Sequence, residues 1–104
     1  MDSKILLGRI LQRFIDEKAA RVPGYQSFGF LRLRTESVLV TRERGKDTPV
    51  PFSAILTGIN AYQQNAELYQ QGPSALRAFG ISHVTSPVFA LLQLLEQKDY
   101  LINH

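Results

Sequence analysis

Apolar residues recur with two different periods along this chain, and the change of period divides it. Over residues 3–20, SKILLGRILQRFIDEKAA, Leu7, Ile10, Leu11 and Phe14 keep the spacing of one helix face, and Ile5, Leu6 and Ile15 widen the stripe. Ser3 or Asp2 is placed to accept from the free amides at its start, and Pro23-Gly24 is placed to end it. Between 28 and 51 the period shortens. FGFLRLR and SVLVTRE are rich in aromatic and β-branched residues, with Thr35-Glu36 as the turn between them. RGKD at 44–47 predicts a second turn, and TPVP a short third strand. Pro49 and Pro51 lack amide donors, which confines that strand to a sheet edge.

The helical period then returns. Ser53 is the expected N-cap of a helix carrying Ile55, Leu56, Ile59 and Tyr62 on one face. Gly58 inside it costs about 1 kcal/mol relative to Ala, so tertiary packing must support the helix. Asn65 to Gln71 predicts a further short turn of helix before Gly72-Pro73, and Ser74 caps a short ALRAF helix ended by Gly80. In the last helix Ser86 takes the N-cap and Pro87 the first helical position, where its missing amide costs nothing. From Val88 to Leu95 that helix is apolar nearly all round. Such a helix is buried on most sides, as the centre of the domain or as a subunit interface. The expected fold is a single α+β domain over residues 1–104: an N-terminal helix, a three-stranded antiparallel meander, then three to four helices with the last one central.

FGISHVTSPVFALL at 79–92, followed by LLQLLEQKDYLIN, resembles the core of winged helix-turn-helix regulators. That resemblance implies DNA reading by the helix from Pro87 to Gln97. The residues themselves point elsewhere. The turn between Gly80 and Pro87 is longer than usual, no wing is expected after His104, and the helix carries no Lys or Arg with which to lie among phosphates. Packing into a core is the reading these residues favour.

Composition narrows the chemistry. The length of 104 residues and 44% hydrophobic content suit one packed domain. The absence of cysteine removes disulfides, thiolate nucleophiles and cysteine-bound zinc, and fits a cytoplasmic protein. ILLGRIL is too short to span a bilayer and Arg9 interrupts the apolar run it belongs to, so neither a signal peptide nor membrane association is expected. No HExxH, GxSxG, Walker A or GxGxxG pattern occurs, and the acids are scattered. Neither a catalytic residue, a metal nor a cofactor is therefore assigned.

Charge changes the picture most. Residues 1–50 hold ten Lys or Arg against six Asp or Glu, and residues 51–104 hold two against three. The positive part centres on LRLRTESVLVTRERGK, with Arg32, Arg34, Arg42, Arg44 and Lys46 against Glu36 and Glu43. Strict strand alternation puts Phe28, Phe30, Arg32 and Arg34 on one face and Leu31 and Leu33 on the other. Such a ribbon would bind the phosphate backbone of DNA or RNA, with affinity falling steeply as salt rises. Arg77, His83, Thr85 and Ser86 form a candidate secondary anion contact at the start of the last helix. The competing reading of the ribbon is a solvated sheet face whose charges prevent aggregation. The competing function is an adaptor or structural domain, homodimeric or part of a larger assembly, joined through residues 87–97.

Overall fold

The computed structural model describes residues 2–22, 24, 26–43 and 45–101. Helix α1 spans Ser3–Glu17, and its N-cap is Asp2, whose carboxylate accepts the Lys4 amide at 2.7 Å. It is three residues shorter than its periodicity predicts. Lys18 takes a left-handed conformation with φ 63°, its amide donates to the Phe14 carbonyl, and the chain turns straight into a strand.

That strand, β1 (Ala19–Val22), corrects the three-stranded expectation. The sheet is four-stranded and antiparallel, in the order β1, β2 (Gln26–Leu33), β3 (Ser37–Arg42), β4 (Thr48–Pro51). The meander read from sequence is β2 to β4, with Thr35-Glu36 at its first turn and the proline-bearing β4 at the edge.

Helix α2 (Phe52–Gln64) begins one residue before the predicted cap. Pro51 holds the N-cap position, and the Phe52 amide donates to the Glu36 carbonyl at 2.9 Å, tying the helix to the β2–β3 turn. Two 3-10 segments follow, Ala66–Gln70 and Pro73–Phe79, the second closed by Gly80 at φ 89°. Helix α3 is Thr85–Leu92. Its N-cap is Val84, not Ser86, and Pro87 sits at the third helical position rather than the first. The helix stops at Leu92 instead of reaching Gln97, and a 3-10 turn, Gln97–Tyr100, ends the described chain.

All the helices lie on one side of the sheet. Leu6, Ile10 and Phe14 of α1 pack with Val38, Val40 and Val50 of the sheet and with Val88, Leu91 and Leu92 of α3 in one core. Helix α3 is central to it: Thr85 and every residue from Pro87 to Leu92 are buried. Gly58 is where α2 and α3 cross. A Cβ there would stand 2.8 Å from Leu92 Cδ1 and 3.4 Å from Val88 Cγ1, so the glycine's helix cost is offset by a closer interhelical contact than alanine allows.

Candidate nucleic-acid interface

The placement of the ribbon arginines turns on one irregular residue. Phe30 pairs with Val40, but Arg32 pairs with Leu39, so Leu31 is an extra residue in β2 with no partner of its own. A bulge of this kind breaks the alternation of faces. Phe28 and Phe30 point to the helices, and Leu33, opposite Val38, returns to that same side. Arg32 joins Leu39 on the outer side. The Arg34 amide donates to the Ser37 carbonyl at 2.8 Å, which continues the ladder and keeps Arg34 on the outer face too. The expected grouping of Phe28, Phe30, Arg32 and Arg34 on one face is therefore corrected: the aromatics face inward and the two arginines outward, both exposed.

Leu39 faces outward yet is 8% exposed, flanked in the register by Arg32 and Pro49. Long arginine stems cover apolar surface in this way while the charged head stays in water.

Arg42 goes elsewhere. It pairs with Phe28 on the helix side at the opposite end of β2. Its guanidinium lies 5.6 Å from the Phe28 ring centroid, and its Nε donates to Thr48 Oγ1 at 2.9 Å. The Thr48 hydroxyl in turn donates to the Lys46 carbonyl at 3.0 Å, which fixes the β3–β4 turn with exposed Lys46 on it. The ribbon thus divides into an outer pair, Arg32 and Arg34, and a turn pair, Arg42 and Lys46. Arg44 lies outside the described residues.

Carboxylates do not neutralise the outer pair among the described residues. The ion pairs there are Arg13 with Glu17 and Lys98 with Glu96. Glu43 accepts from the Ser27 hydroxyl at 2.8 Å and the Ser27 amide at 3.2 Å, and lines a shallow concavity with Arg21. Arg21, opposite Ser27 in the register, is a further exposed cation on the outer face. Sequence periodicity missed it, because the helix read over 3–20 takes in Ala19 and Ala20 and leaves Arg21 in no element.

The secondary contact is partly assembled. Arg77 and Ser86 meet Thr85, Ser74, Pro73 and Val22 around a cleft of about 380 Å³. The Thr85 hydroxyl is committed to its own turn, shared between the carbonyls of Ile81 at 3.0 Å and Ser82 at 2.7 Å. His83 is exposed in that turn and does not line the cleft. The apolar side chains of 87–92 that would offer an interface to a partner are already covered by this chain's own elements.

A tyrosine cluster is the other feature periodicity did not reveal. Tyr62 and Tyr100 stack edge to face at 5.0 Å, with Tyr69 at 5.9 Å and 6.1 Å from them. Tyr69 donates to the Leu95 carbonyl and Tyr100 to the Leu92 carbonyl. Among the described residues no group meets hydrogen-bonding geometry at the buried Tyr62 hydroxyl; Gln93 lies close, but its amide donates to the Tyr69 carbonyl. Burial, first of all, raises the pKa of all three hydroxyls above the usual tyrosine value; Gln93 softens the effect at Tyr62, and Glu96 and Asp99 add to it at Tyr69. This is packing chemistry, remote from both arginine groups in the fold.

Among the described residues no three His, Asp or Glu side chains gather as a cation site, and no helix is long and apolar enough to cross a membrane. Compared with family models, with curated proteins and with solved structures, the chain finds no match.

Proposed function

We propose that this chain is a nucleic-acid-binding module that holds the phosphate backbone against the outer face of its sheet. Arg32 and Arg34 make the principal contacts, and Lys46 on the β3–β4 turn adds a further one. Arg42 serves the fold by bracing that turn. The observation that carries this reading is the open face itself: the helices cover one side of an antiparallel sheet, and the other presents Arg32 and Arg34, both exposed and in no ion pair among the described residues. The aromatics face inward, so bases find no stacking platform, and recognition follows backbone shape rather than sequence. The cysteine-free composition suits a cytoplasmic setting.

Titration of labelled single- and double-stranded DNA and RNA at two salt concentrations tests this. Binding should weaken steeply with salt, and Arg32→Ala with Arg34→Ala should lower the salt slope by about 2. Absence of binding at low salt, or a slope unchanged in the double variant, removes the proposal.

A further inference from the structure

The two edges of the sheet are built differently. At β4, Pro51 pairs with Ser37, whose carbonyl is directed to Arg34 just beyond the end of β2. Pro51 and Pro49 therefore occupy the positions that face away from the sheet, where an amide would otherwise be offered to solvent. That edge has carbonyls there and no donors.

Edge β1 has no such guard. The Phe30 amide donates to the Lys18 carbonyl at 3.0 Å, and Ala20 and Val22 follow in step opposite Phe28 and Gln26. Alternation then turns the amides and carbonyls of Ala19 and Arg21 outward. Among the described residues no hydrogen bond from another element reaches them. Beside them runs a trough of three adjoining concavities of about 330, 490 and 380 Å³. The first two share Gln93, and the second and third share Val22 and Pro73. Half-buried Leu94 and the little of Phe89 that reaches the surface give it an apolar wall, Arg21 stands at one end and Arg77 at the other. Glu17, at the Arg21 end, is engaged by Arg13.

We propose that this edge accepts an extended peptide segment of a partner protein as a fifth strand, with acidic side chains on the outer face and apolar ones against Leu94 and the rim of Phe89. Outward amides and carbonyls give the rungs, and alternate side-chain positions give the selectivity. Arg21, on the outer face, favours carboxylates there. A second copy of this chain is a poor occupant, because antiparallel pairing of β1 with itself about Ala20 makes the two copies of Arg21 diagonal neighbours on one face.

The test uses a fluorescein-labelled octapeptide alternating valine and glutamate, titrated by anisotropy against the full chain. Two further probes are N-methylated, one on the valines and one on the glutamates. Binding should be saturable, and one N-methylated probe should bind about thirtyfold more weakly while the other is little changed, since a fifth strand uses one set of amides. Replacing the glutamates by lysines should also weaken it. Arg21→Pro removes an outward donor without touching the rungs to β2, and should abolish binding while its melting temperature confirms the fold. Lack of saturable binding, or equal binding by both N-methylated probes, overturns the proposal. So does a dimer in light scattering that Arg21→Pro converts to monomer, because the edge then belongs to a second copy.

Discussion

Phe28 and Arg32 stand four residues apart on one strand, yet opposite physics holds them. Phe28 is buried against the helices with the Arg42 guanidinium over its ring. Arg32 lies past the bulge in water, with Leu39 beside it in the register. The inner end of β2 is fixed by packing and tolerates little change of shape. The outer end is held by the ladder and by the Arg32 stem over Leu39, while its charged heads stay in water. One unpaired residue, Leu31, separates the two regimes.

Variants on the two sides should differ accordingly. Phe28→Ala should cost about 3–5 kcal/mol in urea unfolding, whereas Arg32→Ala should stay within about 0.5 kcal/mol. Comparable losses in both would mean that the bulge does not divide the strand. Next in size, Tyr100→Phe should cost about 1–2 kcal/mol, because the Leu92 carbonyl loses its buried donor. Arg42→Ala should cost about 1 kcal/mol through the lost ring contact and the lost bond to Thr48, and leave the salt slope of oligonucleotide binding unchanged. A reduced slope would move Arg42 into the interface.

The smallest effect separates two hydroxyls of the inner region. Tyr62→Phe should change stability at neutral pH by less than about 1 kcal/mol, since its hydroxyl makes no hydrogen bond among the described residues. Its signature is alkaline. Folding raises the Tyr62 and Tyr100 pKa values above the ordinary 10.0, so their stabilisation is complete below pH 10 and declines above it, as the unfolded chain releases protons that the native chain keeps. Unfolding measured from pH 8 upward should show that decline, shallower in Tyr62→Phe. An unaltered alkaline limb would place the titration elsewhere.

Much of this architecture is legible in the residues. Asp2 and the apolar stripe specify α1, and the prolines of TPVP specify an edge strand, because each acts locally. What escaped detection depends on distant neighbours. Ala19 and Ala20 continue the helical periodicity, and only the left-handed turn at Lys18, stabilised once the Phe30 amide of β2 is present to donate to its carbonyl, makes Ala19–Val22 a strand. FGFLRLR reads as perfect alternation, whereas the bulge at Leu31 is imposed by β3. The basic residues of the candidate interface could be named from composition, but the division into outer and turn pairs could not, since it follows from that bulge. Ser86 has the chemistry of a cap, yet the turn bonded through Thr85 starts the helix earlier.

The prolines of β4 carry one more consequence. Stacking of sheets into fibrils requires every unit to receive a neighbour on one flank and offer another on the opposite flank. With one flank sealed by imino acids, recruitment at β1 ends after a single event, and growth has no second direction in which to continue.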